Sequence, residues 1–332
     1  MKAAVIDSYG AAENLRIRDL PMPSVRPSDV LVRVHATSVN PVDTKQRLGI
    51  HRLVVRKAMP AILGMDLSGV VEAVGVDVHR FQPGDEVWSS PSHRRPGTWA
   101  EFVSVYEGEL ALKPSSLSHI EAASLPLVGL TAWACLMEGP PVTPGQRVLV
   151  QAGSGGVGTV GIQLAKHLQA HVSTTCSARN EELVRGLGAD EVVDYQTRNY
   201  WEVLPRQHHV LESIGPSMWR HSMDVLERGG HLASIASGMP AAVKRWGPIF
   251  GPIALAWGMA GALARGRREG LKVRHVIRKA SGEQLGRLAE LANAGTIRPV
   301  VERVLPLAGI VEANRLVESG RTRGKVVVEL IS

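Results

Sequence analysis

The N-terminal part of the chain, up to about residue 118, alternates short apolar segments with turn residues. Apolar residues recur at every second position or in brief runs, and Pro, Gly, Ser and Asp separate the runs. This pattern of apolar and turn residues is typical of half-buried β-strands joined by tight turns. It predicts strands at residues 2–6, 30–37, 69–74, 86–89 and 99–105. We therefore expect a small, mostly antiparallel β-barrel.

Beyond residue 118 the pattern changes to helices and strands in alternation. Such alternation predicts βαβ units that share one parallel sheet. The predicted strands are residues 147–151, 171–175, 191–194, 209–214, 231–235 and 273–277. Strands in this number, with helices between them, predict a doubly wound sheet, and the fold class is α/β.

A final segment follows the last of these strands. It reads as helix 282–294, strand 297–304, helix 310–319 and strand 325–330. Because it is too short to bury a core of its own, we expect it to return to the first domain. The predicted domains are residues 1–121 and 122–279, with residues 280–332 as the returning segment.

The composition of the 332 residues, 44% hydrophobic and 21% charged, is that of a folded globular protein and excludes disordered and fibrous classes. With Cys135 and Cys176 as the two cysteines, neither a disulfide framework nor a cysteine-rich zinc lobe is expected. The apolar run at the start of the sequence is short and ends at Asp7, whereas a secretory signal has a longer apolar region. These features predict a cytoplasmic protein.

The charge balance is basic, with 38 Lys and Arg against 31 Asp and Glu. It suits phosphorylated ligands, nucleic acid or anionic lipids without deciding among them. Our expectation is a protein without a nucleic-acid partner. Residues 247–264 carry no charge and are followed by Arg265, Arg267 and Arg268. Prolines and glycines dilute this segment. We favour a buried or subunit-contact helix, and the alternative is contact of residues 247–268 with a membrane surface.

A glycine-rich motif follows the first strand of the second domain. The segment 152–158 reads AGSGGVG and runs into a helical pattern, so that Gly153, Gly155 and Gly158 satisfy GxGxxG between a strand and a helix. In that position the glycines allow a tight turn and close approach of a pyrophosphate to the helix N-terminus. The motif predicts a dinucleotide site, and a turn that only packs is the alternative.

The residues after the second strand indicate which dinucleotide is bound. An NAD site usually has an acidic residue there that accepts from the ribose 2′-hydroxyl. This chain has Ser177 and Arg179 instead, which suit a 2′-phosphate. NADPH is the predicted cofactor, and a solvated surface arginine is the alternative for Arg179.

Several motifs together resemble one family. The segment GSGGVGTVGIQLAKHLQAHV resembles the medium-chain dehydrogenase/reductase superfamily, and SVNPVDTKQRLG, GMDLSGVV and AASLPLVGLTAWACL are similar to its zinc-free quinone oxidoreductase branch, which includes zeta-crystallin. The resemblance implies a GroES-like β-barrel catalytic domain, a Rossmann domain that binds NADPH, and a homodimer.

The resemblance also marks site residues. It implies that Asn40 and Lys45 lie near the nicotinamide and the substrate. The implied cofactor-binding residues, beyond the three glycines of the motif, are Thr131, Gly156, Val157, Ser177, Arg179, Tyr195, Ser213 and Ile235. In zinc relatives a Cys takes the place of Asn40 and a Gly-His-Glu segment that of Gly64-Met65-Asp66, so no metal is expected. Many relatives have Tyr where this chain has Lys45.

The chemistry that these residues favour is hydride transfer from NADPH to an electron-poor acceptor, for which a quinone is our first expectation. Asn40 and Lys45 are the predicted catalytic residues, with a structural turn and a solvated lysine as the respective alternatives. A reductase of enoyl or enone C=C bonds is the second hypothesis. A third, from another class, is an NADPH-binding protein that interacts with RNA or with a membrane partner.

Overall fold

The computed structural model describes residues 1–50, 52, 56–236 and 238–331. The chain forms two units: unit 1 combines Met1–Leu130 with Lys279–Ser332, and unit 2 is Thr131–Arg278. The division falls later than the boundary predicted after residue 121. The reason is local, because the backbone N–H of Leu127 donates to Asp66 Oδ1 at 2.7 Å and holds that stretch to unit 1.

Short strands dominate the first part of unit 1. The strands are β1 (Lys2–Ile6), β2 (Leu15–Asp19), β3 (Asp29–Val39), β4 (Ala61–Ile62), β5 (Leu67–Val74), β6 (Glu86–Ser89), β7 (Phe102–Tyr106) and β8 (Leu110–Leu112). The helices are α1 (Pro41–Arg47), α2 (His119–Ala123) and α3 (Pro126–Leu136), the last of which extends into unit 2. All five predicted strands are present. The sequence analysis missed β2, β4 and β8, because β4 and β8 are very short and β2 is mostly exposed.

Unit 2 alternates strands and helices as predicted. Its strands are β9 (Arg147–Val150), β10 (His171–Cys176), β11 (Glu191–Asp194), β12 (Gln207–Glu212), β13 (Leu226–Ser234) and β14 (Lys272–His275). Its helices are α4 (Gly156–His167), α5 (Glu181–Gly186), α6 (Tyr200–Val203), α7 (Pro216–Asp224) and α8 (Met239–Glu269). The strands form one parallel sheet in the order β11-β10-β9-β12-β13-β14, and this confirms the doubly wound topology.

The returning segment has α9 (Gly282–Asn293), β15 (Val301–Pro306), α10 (Ile310–Glu318) and β16 (Lys325–Glu329). Strand β16 pairs antiparallel with β3, and β15 pairs parallel with β16. They extend a sheet of order β15-β16-β3-β5-β6-β8, in which β7 also pairs with β3. The core of this sheet is aliphatic, with Val30, Val32 and Val34 of β3 fully buried.

Helix α8 was expected to be a buried or a subunit-contact helix, and within this chain it is not fully buried. It is kinked at Gly247, whose φ of 75° and ψ of 173° are not helical. Leu255 on one side of it is 8% exposed, whereas Trp257 is 76% exposed. The helix is therefore buried on one side only. Within the described residues, no helix is long and apolar enough to cross a membrane.

Candidate functional site

The glycine turn of unit 2 lies between β9 and α4, where the sheet order changes direction. Ala152, at φ 50°, adopts the left-handed conformation that begins the turn. The backbone N–H of Gly153 donates to Thr175 O at 2.9 Å, which fastens the turn to β10. Gly155, the residue before α4, has no side chain with which to cap this helix. The first N–H groups of α4 are thus available to an anion, which the helix dipole also attracts.

The three glycines of the motif have different steric roles. A Cβ on Gly153 would lie 2.1 Å from Thr174 Oγ1, and one on Gly158 would lie 2.2 Å from Ala152 O. Both residues must be glycine for the strand, turn and helix to pack. A Cβ on Gly155 would meet Ala152 O at 3.3 Å, a much milder contact. Packing alone therefore does not require a glycine at residue 155.

The end of β10 lies next to this turn. Thr174 Oγ1 donates to Val150 O at 2.6 Å, and Thr175 Oγ1 accepts from the N–H of Ala152 at 3.0 Å, so both hydroxyls hold the turn in place. Ser177 and the exposed Arg179 follow in a short turn. No carboxylate residue stands between Thr174 and Asn180. This set of groups suits a 2′-phosphate better than a 2′-hydroxyl.

Other predicted cofactor residues follow the carboxyl ends of neighbouring parallel strands. Tyr195 comes after β11. Its backbone N–H donates a hydrogen bond to Cys176 O at 3.2 Å, and the residue is 61% exposed. Ser213, after β12, donates to Gln151 O at 3.1 Å. Ile235, after β13, donates its N–H to Glu212 O at 2.9 Å. The structure brings these residues to the same edge of the sheet as the glycine turn. Gly156 and Val157 begin α4, whereas Thr131 is buried in α3.

Asn180 is a residue of this region that the sequence analysis did not single out. It is 4% exposed, and its Nδ2 donates to Ser154 Oγ at 3.0 Å and to Ser177 Oγ at 3.3 Å. It thereby joins the glycine turn to the end of β10. Among the described residues its Oδ1 has no hydrogen-bond partner. Its place directly after Arg179 was a possible signal, but a single asparagine in a turn is too common to stand out.

Unit 1 has a separate buried polar cluster around Asn40. Asn40 precedes α1, is 1% exposed, and donates from Nδ2 to Asp66 Oδ2 at 2.8 Å. Lys325 Nζ, from β16, donates to Asn40 Oδ1, to Ser38 Oγ at 2.8 Å and to Asp66 Oδ2 at 3.1 Å. Both ends of the Asn40 amide are thus engaged by buried partners. The sequence analysis missed Lys325, because nothing local relates it to Asn40.

Asp43 completes this cluster at the first turn of α1. Its Oδ2 accepts from the backbone N–H of Asn40 at 2.8 Å, which fixes the start of the helix. Burial raises the pKa of Asp43 to about 7, and the neighbouring Asp66 acts in the same direction. The hydrogen bond from Asn40 and the charge of Lys325 oppose that rise.

Lys45 lies two residues after Asp43 in α1 and is half-buried. Burial lowers the pKa of its ammonium, and no described carboxylate offsets this effect. The helix that carries it is anchored by Arg47, which is fully buried, donates to Asn314 Oδ1 at 3.3 Å and contacts Glu318 of α10. The structure therefore presents Lys45 on a rigidly held helix, as a partly desolvated cation.

The residues of this cluster do not fit a zinc ion. Within the described ranges, no three His, Cys, Asp or Glu side chains are grouped to hold a metal. Met65 is buried and contacts Gln46 Nε2 through its sulfur at 3.9 Å. The Lys325 ammonium already supplies positive charge between Asn40 and Asp66, and it would repel a divalent cation there.

Comparison with known proteins agrees with both units. The family described as "Alcohol dehydrogenase GroES-like domain" matches residues 26–115, and the family described as "Zinc-binding dehydrogenase" matches residues 187–328. The protein "NAD(P)H oxidoreductase RTN4IP1, mitochondrial" from Mus musculus is 37% identical over an alignment of 354 positions, which covers 100% of this chain and 89% of that relative.

Two further similarities extend over nearly the whole chain. "NADPH-dependent alkenal/one oxidoreductase, chloroplastic" from Arabidopsis thaliana is 31% identical and covers 99% of this chain and 79% of its own length. The solved structure of the quinone oxidoreductase from Coxiella burnetii has a TM-score of 0.87 at 30% identity, with 99% of each chain covered. The chain belongs to the medium-chain dehydrogenase/reductase superfamily, among its quinone-oxidoreductase-like members. The family and fold predicted from the sequence are confirmed.

Proposed function

We propose that this protein transfers a hydride from NADPH to a quinone without the help of a metal ion. It is an NADPH-dependent oxidoreductase, as the relatives that match its whole length are NAD(P)H or NADPH oxidoreductases by name. The choice of NADPH as cofactor rests on the residues that follow the end of β10. Ser177 and Arg179 stand there beside the glycine turn, where an NAD site has a carboxylate.

In this proposal unit 2 binds the cofactor. The uncapped N-terminus of α4, at Gly155, Gly156 and Val157, receives the pyrophosphate, because its free N–H groups and its dipole favour an anion. Ser177, Arg179 and Tyr195 receive the 2′-phosphate and the adenosine. We assign supporting roles to Ser213, Ile235 and Thr131. Bound NADPH supplies the hydride and leaves as NADP⁺.

Lys45 is the residue we propose to act on the acceptor. Reduction of a quinone adds a hydride and a proton, and negative charge develops on a quinone oxygen before the proton arrives. A partly desolvated ammonium stabilises that charge better than one in bulk water. The proton comes from solvent. Asn40 acts as a positioning residue, since its buried amide holds the start of α1 and leaves Lys45 correctly placed.

The first test is cofactor oxidation by the purified protein with benzoquinone, phenanthrenequinone, an α,β-unsaturated aldehyde and crotonyl-CoA, each with NADPH and with NADH. Rapid turnover of the quinones with a preference for NADPH supports the proposal. Turnover of the aldehyde or thioester alone moves the protein to the C=C reductases, which the similarity to the alkenal/one oxidoreductase favours as second candidate. Tight NADPH binding without any turnover would instead support an interaction protein.

The role of Lys45 is tested by Lys45→Gln and Lys45→Arg, with the exposed Lys2→Gln as control. We expect Lys45→Gln to lower kcat/KM for the quinone about 10- to 100-fold, because one charge-stabilising group is lost. Lys45→Arg should retain most of the activity, and all three variants should bind NADPH normally. Unchanged kcat/KM in Lys45→Gln would show that Lys45 is only a solvated lysine.

The proposal extends to location and assembly. We propose a cytoplasmic homodimer, in line with two buried cysteines that remain free thiols. The mouse relative has "mitochondrial" in its name, so imaging of the tagged full chain in its native cell is the relevant check. Light scattering at several concentrations measures the oligomeric state.

A further inference from the structure

Helix α8 has an apolar outward face that the fold does not use. Phe250, Ile253 and Trp257 are spaced three and four residues apart, so they share one side of the helix after the kink. They are 66%, 50% and 76% exposed, and Trp246 before the kink is 53% exposed. We call these four residues the apolar stripe. Exposed aromatic side chains grouped in this way mark contact surfaces.

The opposite side of α8 packs against the hydrophobic core of unit 2. Leu255 is buried, Met259 and Ala262 pack against the cluster that contains Trp219 and Leu271, and a Cβ on Gly266 would lie 2.6 Å from Val273 Cγ2. Unit 2 therefore holds the helix through its inner side. The apolar stripe does not contribute to this packing. Because it is exposed, we expect it to contact a partner outside the chain.

Basic residues lie at both ends of the apolar stripe. Arg245 has its guanidinium 5.2 Å from the centre of the Trp246 ring. Arg268 follows Trp257 by three helical turns on the same face, is 79% exposed at its side chain, and has an ion-pair distance of 3.9 Å to Glu269. From Met239 to Arg268 the sequence contains no Asp or Glu. The partner must accordingly be apolar in its middle and negatively charged around it.

We propose that the outward face of α8 docks on the surface of a bilayer that contains anionic lipids. Trp and Phe reside at the boundary between headgroups and acyl chains, and arginines beside them bind lipid phosphates. The helix would lie in the plane of that boundary, since none of the described helices is suited to span a membrane. This inference does not depend on which acceptor the enzyme reduces.

Charge distinguishes a lipid surface from a second copy of the chain. A two-fold contact through the stripe would place the Arg245 end of one copy near the Arg268 end of the other. Like charges would then face each other beside an apolar contact, and Glu269, the carboxylate at the end of the helix, already accepts from Arg265 Nε at 2.8 Å. A bilayer with anionic headgroups neutralises both ends at once.

The test is flotation of the full chain with vesicles of phosphatidylcholine alone and of phosphatidylcholine mixed with phosphatidylglycerol. We expect binding to the mixed vesicles, weaker binding to the neutral ones, and partial release by salt. Phe250→Ser combined with Trp257→Ser should lower the partition coefficient about tenfold or more. Arg268→Glu should weaken binding to the anionic vesicles by a similar factor, because it reverses one charge.

Val76→Ser is the matched control, because Val76 is 85% exposed but lies in unit 1, far along the chain from α8. It should bind vesicles like the parent chain, and each variant should keep its NADPH affinity as proof of folding. Equal binding of the parent and the double variant, or no binding by the parent, would overturn the proposal. So would conversion of a dimeric parent to a monomeric double variant, because the face would then be a subunit interface.

Discussion

Lys325 and Asp66 form a buried ion pair, with 3.1 Å between Lys325 Nζ and Asp66 Oδ2, although they are 259 positions apart in the chain. The side chains are 5% and 0% exposed. The pair joins β16 of the returning segment to the polar cluster at the start of α1. Because Asp66 also accepts from Ser38 and Asn40, the ammonium is part of the framework that places Lys45.

Removal of one partner of this pair should be costly. Lys325→Met leaves the Asp66 carboxylate buried without its cation, and we expect the free energy of unfolding to fall by about 3–5 kcal/mol. Urea denaturation followed by circular dichroism measures the loss. The exposed pair of Arg287 and Glu283 gives the control, since Arg287→Met should change stability by less than about 0.5 kcal/mol. The double variant Lys325→Met with Asp66→Asn should recover part of the loss, and additive losses would argue against the pairing.

Alanine substitutions separate the roles of the three motif glycines. Gly153→Ala and Gly158→Ala create overlaps at 2.1 and 2.2 Å, so each should destabilise unit 2 by about 1–3 kcal/mol and impair NADPH binding. In Gly155→Ala the new Cβ lies 3.3 Å from its nearest atom, Ala152 O, so the melting temperature should change little. The substitution should nevertheless weaken NADPH binding. Thermal unfolding and cofactor titration give the two readouts. A Gly155→Ala protein with full NADPH affinity would count against pyrophosphate binding at this turn.

Arg179 should determine the preference for NADPH over NADH. Arg179→Glu replaces a phosphate partner with a repelling charge, and we expect the dissociation constant for NADPH to rise about 10- to 100-fold. The constant for NADH should change far less. Fluorescence titration with each cofactor measures both, and Arg185→Glu on the next helix serves as control. An equal rise in the dissociation constants for NADPH and NADH would mean that Arg179 does not bind the 2′-phosphate.

Two buried histidines of unit 2 should make the protein unstable in mild acid. His209 and His231 pair across β12 and β13 with ring centres 5.5 Å apart. Burial, reinforced by neighbouring positive charges, lowers the pKa of each to about 4. The folded protein keeps them neutral while the unfolded chain takes up protons below the ordinary value of 6.5.

Their stabilising contribution is therefore complete above about pH 6.5 and is lost as the pH falls from there toward 4. We expect a loss of about 2 kcal/mol for each ring between pH 7 and pH 5. Urea unfolding across this range measures the slope. His231→Phe should reduce it, and replacement of the exposed His79 with Gln should leave it unchanged. A parent protein equally stable at pH 7 and pH 5 would contradict these pKa values.

Activity should show the titration of Lys45 on the alkaline side. The pKa of Lys45 lies below its ordinary value because of burial, so kcat/KM for the quinone should fall as the ammonium loses its proton. In Lys45→Arg this alkaline limb should move to higher pH, because a guanidinium stays protonated. Steady-state kinetics over the alkaline range test the shift, with Lys2→Gln as the control whose profile matches the parent.

The sequence by itself determined the features that local pattern encodes. The alternation of strands and helices predicted every strand of the parallel sheet, because burial of one or both faces leaves a regular trace along the chain. Gly153, Gly155 and Gly158 revealed the turn in the same way, since their spacing reflects contacts within a single βαβ unit. The absence of a carboxylate after β10 was likewise visible without coordinates.

Only the tertiary structure decided how distant segments meet. The partnership of Lys325 with Asp66 and Asn40 depends on the pairing of β16 with β3, and no periodicity relates residues so far apart in sequence. The same pairing brings Lys325 to the amide of Asn40, a predicted catalytic residue, which also donates to Asp66. Likewise, the uncharged run in α8 predicted a buried or subunit-contact helix, and only the structure shows which side is buried. A helix packed on one side of a sheet buries its inner face, and Trp257 lies on the other.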